Sequence, residues 1–283
     1  PPPPPPPPPP LFFFNPPPPK PDPLWSRGLG DVYKRQQPLE LDLDQLAEDA
    51  KAMIRDGNPA GALESLRPHL PEAAAEHGAC WRVAAGAMAR LEMIDAAINA
   101  FEYATDLDSN DSSAWFNLGA LKKKMQEVEG AMGCFQSALT LDPNYAKAAN
   151  RLALDALDVA KADLANDAFR KLLILEPTHA SALIFAELLI DLAEGEGRAI
   201  EFDLSLPTTL PAGPEMAAEA MQFLQGSISA LSARALSLTG EHAESVIIWK
   251  QLLEQDKSDA NLWLGLARSL SASGNEEKAA TCR

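Results

Sequence analysis

Residues 112–145 read SSAWFNLGALKKKMQEVEGAMGCFQSALTLDPNY, and they decide the fold. Trp115, Leu118 and Leu121 recur every three residues and crowd one face of a first helix. Ala131, Phe135 and Ala138 follow at i, i+4 and i+7 of a second, alternating small and large side chains for interdigitation. Gly119 lets the two helices approach closely. Leu141-Asp142-Pro143 ends the second helix, because proline disfavours a helical residue before it. One such hairpin cannot bury both its faces, so its stability must come from stacking on copies of itself.

The copies are present at a spacing of 34 residues. Trp81 and Trp115 stand that far apart, as do Ala97, Ala131 and Ala165, and Phe101, Phe135 and Phe169. Pro143 and Pro177 repeat the interval, and Gly240 and Gly274 restore it near the C-terminus. There Trp249 takes the place of the phenylalanines and Trp263 that of Trp81 and Trp115.

Trp115-x-x-Leu118-Gly119, then Ala131-x-x-x-Phe135, then Pro143, resembles the tetratricopeptide repeat, with Lys122 in place of the motif's Tyr and Gln126 in place of its mid-repeat Gly. The resemblance extends over residues 43 to 283 with one interruption. It implies an all-α fold: a right-handed α-solenoid of stacked helix-turn-helix units, about 12–13 helices, behind an unstructured Pro-rich N-terminal segment. Repeats are predicted at about 43–77, 78–111, 112–145 and 146–179, with helix A of a degenerate fifth through Leu183, Ala186 and Ile190. The array thus occupies 38–194 and resumes over 215–283, with repeats at about 226–259 and a truncated 260–283. Between them Gly195 to Pro214 is a loop insertion, rich in Gly and Pro. The interval from Pro177 to Ser227 is too long for one repeat and too short for two, and a helix from about Glu215 can run unbroken into 226–238. The last repeat stops four residues past Ala279, so a fragment open at both ends is expected.

Composition is uneven in the same way. Of 25 prolines, 16 lie in the first 23 residues, where runs of Pro and Phe mark residues 1–37 as low-complexity sequence, non-native or disordered. The net charge of -16 divides into +2 over residues 1–37 and -18 over the rest. So acidic a chain repels nucleic acid and anionic membrane surfaces, and no apolar run reaches the length of a transmembrane helix. Cys80, Cys134 and Cys282 are too scattered for a disulfide framework or a zinc site, and a cytoplasmic protein is expected. Four histidines fall in no catalytic or metal-binding spacing, and His179 reads as a solvated loop residue. No Gly-rich phosphate loop and no cofactor motif appear, so this chain is not expected to be an enzyme or to bind a cofactor.

The first helices of three successive repeats, 78–91, 112–125 and 146–159, carry Arg82, Arg90, Lys122, Lys123, Lys124, Lys147 and Arg151 against only Asp155 and Asp158. In an acidic chain that is a local net of +5. Helix A lines the concave groove of tetratricopeptide arrays, so the resemblance implies a groove for a protein or peptide partner, with Arg82, Asn117, Lys147, Asn150 and Arg151 as candidate contacts. Some co-chaperone members grip a C-terminal carboxylate with Lys and Asn, Asn, then Lys and Arg on successive helices A. Those positions fall on Arg82, Gly86, Asn117, Lys147 and Arg151, and Gly86 lacks the amide. Either such a clamp or a looser groove for acidic peptides fits, while Lys122–Lys124 also read as the solvated end of a helix. The expected function is therefore a non-catalytic interaction scaffold. The alternative is the N-terminal recognition region of a larger enzyme, of glycosyltransferase or sulfotransferase type.

Overall fold

The turns between repeats are built from one polar device. Asp108, Asp142 and Asp256 each accept a hydrogen bond from the backbone N–H two residues on, at 3.0, 3.0 and 2.9 Å. A tryptophan then closes the turn: Trp81, Trp115 and Trp263 donate Nε1–H to the carbonyl six residues back, in Ala75, Ser109 and Lys257, at 3.0, 3.0 and 2.9 Å. The Trp thus fixes where the helices Gly78–Arg90, Ser112–Lys124 and Ala260–Ala272 begin, and Trp81 also fills the core. Asp111 and Asp259 cap two of those helices by accepting from free N–H groups of the first turn.

The computed structural model describes residues 41–195, 213–224 and 226–282. The Pro-rich segment 1–37 and residues 196–212 of the expected insertion lie outside them. Fourteen helices are present among the described residues, against the 12–13 expected, and no strand. They fall into two units, divided after Leu141. In the first, α1 (Leu43–Arg55) pairs with α2 (Pro59–Leu66), α3 (Gly78–Arg90) with α4 (Ile94–Leu107), and α5 (Ser112–Lys124) with α6 (Val128–Leu141). In the second, α7 (Ala146–Asp158) pairs with α8 (Ala162–Leu175), α9 (Ala182–Glu194) with α10 (Gly213–Leu224), α11 (Ala230–Leu238) with α12 (His242–Gln255), and α13 (Ala260–Ala272) with α14 (Glu276–Thr281).

Each pair packs through the residues of the period. Phe101, Phe135 and Phe169 on α4, α6 and α8 are fully buried. Gly119 is required where it stands: a Cβ there would meet the Phe135 ring at 2.7 Å and the Ala131 carbonyl at 3.0 Å. Near the C-terminus Trp249 replaces the phenylalanine, and its indole N–H needs a partner once buried. It donates to Ser269 Oγ at 3.1 Å; Ser269 meets Ser245 at 2.9 Å, and Ser245 donates to the Ala233 carbonyl at 2.6 Å.

The turn inside each pair needs one residue at positive φ. Glycine supplies it at Gly57, Gly240 and Gly274, but Glu92, Gln126 and Ala160 hold the same place with φ of 59°, 65° and 65°. A residue with a Cβ in this conformation costs about 1–2 kcal/mol. Ala160→Gly, which forfeits no side-chain contact beyond a methyl, is expected to raise stability by about 1 kcal/mol after allowing for glycine's freer unfolded chain. Urea denaturation checks this; an unchanged or lower midpoint would count against a strained turn.

Among the described residues between Pro177 and Ser227, α9 and α10 form one packed pair. Helix α9 ends at Gly195, whose φ of 64° matches the other turns, and α10 resumes at Gly213 and packs on α9. Helix α10 does not run on into α11: Gly226 takes φ of 70°, and Ser229 caps α11 by accepting from the Ser232 N–H at 3.1 Å. Two arginines tie this pair to its neighbours. Arg170 of α8 forms a forked ion pair with Glu219 of α10, donates Nε–H to Asn166 Oδ1 at 3.1 Å, and lies 5.6 Å from the Phe185 ring centre. Arg234 of α11 reaches Asp191 at 2.7 Å and Glu194 at 2.8 Å on α9. Burial alone would lower the Arg234 pKa, but the hydrogen bonds it donates to Glu194 and Asp191 outweigh this and hold the guanidinium charged more firmly than usual.

Candidate functional site

The cations of the three helices A divide into those already engaged and those left open. In the first unit Arg82 pairs with Asp111, the residue that caps α5, so this candidate contact is tied into a repeat junction. Lys122 donates to Glu102 of α4 at 2.7 Å. Burial pulls its pKa down, but Glu102 outweighs this and the ammonium is held above its usual range. Lys124 pairs with Glu92 across two repeats. The run Lys122–Lys124 is thus not simply a solvated helix end, since Lys122 and Lys124 pair with carboxylates of the preceding hairpin, Glu102 on its second helix and Glu92 in its turn. Asn117 is exposed on α5.

In the second unit the pattern changes. Lys147 and Arg151 are both exposed on α7, and neither has an ion pair among the described residues. Four residues of helix put them one turn apart, about 6 Å along the axis, on the same face. That spacing suits two cations sharing one carboxylate or a pair of adjacent ones. Between them Asn150 is half-buried, and its Oδ1 accepts from Ser181 Oγ of the α9 N-terminus at 2.8 Å. With its carbonyl oxygen so held, the Asn150 amide N–H groups are the part of the side chain available to a ligand.

Ser181 carried no signal in the sequence, and its part follows from a shift in phase. Four residues separate α6 from α7, but six separate α8 from α9. The helix-A period is therefore 36 residues at this junction instead of 34. The buried residues confirm it: Ala149, Leu152, Ala153, Asp155 and Ala156 of α7 correspond to Phe185, Leu188, Leu189, Asp191 and Leu192 of α9. Leu183, expected on the packed face, instead matches Lys147 and is 55% exposed; Glu187 matches Arg151. The wider turn also explains His179, which is half-buried and accepts from the Ser181 N–H at 3.1 Å, where a solvated loop residue was expected.

Other chemistry is sparse. Cys80 and Cys134 are buried, and burial pushes both thiols above their ordinary pKa. Cys80 donates to the Leu43 carbonyl at 3.5 Å. Among the described residues no group of three or more His, Cys, Asp and Glu side chains is placed to hold a metal ion, and no helix is long and apolar enough to cross a membrane.

The best-formed hairpin, α5 and α6 with its following turn, matches the family model of the tetratricopeptide repeat over residues 112–145. That stretch is a tetratricopeptide repeat. The other pairs share its mid-turn residue at positive φ; the Trp closure recurs at Trp81 and Trp263, and the buried aromatic at Phe101, Phe169 and Trp249. No curated protein matches the chain. Solved structures similar to it include a tetratricopeptide repeat protein from Parabacteroides merdae ATCC 43184, 16% identical over 84% of this chain and 90% of that one, with a TM-score of 0.47. YrrB, a tetratricopeptide protein with an unusual peptide-binding site, is 17% identical over 69% and 90%, with a TM-score of 0.47. MamA is 18% identical over 69% and 96%, with a TM-score of 0.45.

Proposed function

We propose that the chain is a non-catalytic interaction scaffold that holds an acidic peptide segment, or an acidic C-terminus, against α7. The observation that carries this is the exposed pair Lys147 and Arg151, one helical turn apart and without ion pairs among the described residues, in a chain of net charge -16. Two uncompensated cations side by side repel one another, and an acidic ligand relieves that while forming charge-assisted hydrogen bonds. Asn150, steadied by Ser181, adds an amide donor between them. Arg82 and Asn117 lie in the first unit, where Arg82 is engaged by Asp111, and the proposal rests on α7 of the second unit alone.

The test is a fluorescence anisotropy titration with labelled Gly-Ser-Ser-Gly-Asp-Asp bearing a free C-terminal carboxylate. Lys147→Ala with Arg151→Ala is expected to weaken binding at least tenfold, since hydrogen bonds to charged groups are each worth about 1.5–3 kcal/mol. Both side chains are exposed, so the double variant is expected to fold like the parent.

A further inference from the structure

Three of the turns leading into a first helix of a pair are held by an aspartate: Asp108, Asp142 and Asp256 each accept from the backbone N–H two residues on. The turn between α8 and α9 keeps this bond and changes the acceptor. There His179 Nδ1 takes the N–H of Ser181, again two residues on, at 3.1 Å. A carboxylate remains an acceptor down to about pH 4, but an imidazole accepts only while one nitrogen is unprotonated, and histidine changes charge between about pH 5 and 8. This turn is also the one that reaches the candidate site. The Ser181 hydroxyl donates to Asn150 Oδ1 at 2.8 Å, between Lys147 and Arg151 on α7. Ser181 thus has its backbone N–H held by the imidazole while its hydroxyl steadies the site.

The charged groups of the neighbouring helix turns are Lys147 and Arg151 on α7, Lys171 on α8 with Glu176 at its end, and Glu187 on α9. None forms a hydrogen bond or ion pair with the His179 ring among the described residues. His77 at the start of α3 differs in this respect. It accepts from the Cys80 N–H at 3.4 Å, but its Nε2 lies 3.2 Å from Asp44, a carboxylate that suits the charged ring.

Building on the proposed acidic ligand, we infer that His179 makes the α7 site sensitive to pH, the ligand being held while the imidazole is neutral and released as it takes up a proton. With Nδ1 protonated, the ring and the Ser181 N–H are two donors facing one another, and their bond is lost. Ser181 is then no longer fixed in the turn, and its hydroxyl no longer holds the Asn150 carbonyl oxygen. An amide free to change rotamer must be ordered by the ligand itself, at a cost in entropy. The imidazolium charge attracts an acidic ligand and so acts the other way, but salt screens that attraction far more than it weakens a direct hydrogen bond.

The experiment is the anisotropy titration of labelled Gly-Ser-Ser-Gly-Asp-Asp on the full chain in 0.15 M salt, at pH 7.5 and at pH 5.5, where the peptide's carboxylates stay ionised. The parent is expected to bind about three- to tenfold more weakly at pH 5.5, the scale of one weakened hydrogen bond to a charged group. His179→Asn sets an amide oxygen where the ring has Nδ1 and does not titrate, so at both pH values it should bind as the parent does at pH 7.5. His179→Ala has no acceptor at either pH and should bind at both as the parent does at pH 5.5. Equal parent affinity at the two pH values overturns this inference. So does a loss at pH 5.5 that survives His179→Asn, whether it comes from another histidine or from general unfolding. If binding at pH 7.5 still falls with Lys147→Ala and Arg151→Ala, the acidic ligand of the proposed function stands without the pH device. Absence of parent binding at pH 7.5 overturns both.

Discussion

Phe135→Ala is expected to cost about 3–5 kcal/mol, the largest single loss from a core position of the first unit. The ring is fully buried, its centre 5.5 Å from that of Phe116, and its edge fills the space that Gly119 leaves open. Removing it forfeits the apolar burial and leaves a cavity that two helix backbones in mutual contact cannot collapse to fill. Because each hairpin is stable only against its neighbours, α3–α4 and α5–α6 should both lose protection. Urea denaturation followed by tryptophan fluorescence, which reports Trp81 and Trp115 in this unit, checks the loss. Phe135→Leu should cost much less, and Gln136→Ala, on the exposed side of the same helix, about 0.5 kcal/mol at most. A Phe135→Ala variant no weaker than Gln136→Ala would contradict the packing assigned to the 34-residue period.

The second large effect is expected at Arg234, where alanine should cost about 3 kcal/mol. The guanidinium is three-quarters buried and serves two carboxylates, and Asp191 is itself nearly inaccessible. Truncation leaves a buried aspartate facing Glu194 with no cation between them, a repulsion and a desolvation cost together. Arg234→Ala combined with Asp191→Asn should therefore recover part of the loss, although it removes one more polar contact. If the double variant is as unstable as the sum of the two single changes, the ion pair is not the reason for the loss. Arg234→Lys should fall between, since an ammonium cannot fork to Asp191 and Glu194 as a guanidinium does.

Much of this architecture was legible in the residues alone, because packing in a stacked array depends on the chain's own period. Phe101, Phe135 and Phe169 are identical at one phase, and all three are fully buried. Trp81, Trp115 and Trp263 could be placed as core residues, but their second task, closing the turn through Nε1, has no sequence signature. The pairing of α9 with α10 was hidden because eighteen residues separate the two helices, which takes α10 out of the 34-residue phase. Charge was the least legible feature. Seven cations on three helices A look alike in sequence, yet Arg82, Lys122 and Lys124 find carboxylates on neighbouring elements whose approach depends on the fold. Leu183 was misplaced for a simpler reason: two additional residues before α9 move every following side chain by more than half a helical turn.

The most direct measurement of the functional account is the anisotropy titration of Gly-Ser-Ser-Gly-Asp-Asp against three proteins: the parent, Lys147→Ala with Arg151→Ala, and Lys250→Ala with Lys257→Ala. The last removes the same charge from exposed positions elsewhere in the second unit and so separates a site from a diffuse field. The account predicts that the α7 double variant binds at least tenfold more weakly than the parent, while the Lys250 and Lys257 variant stays within about twofold at 0.15 M salt, where distant charges are screened. Equal affinity of the parent and the α7 variant, or equal loss in both variants, would contradict it.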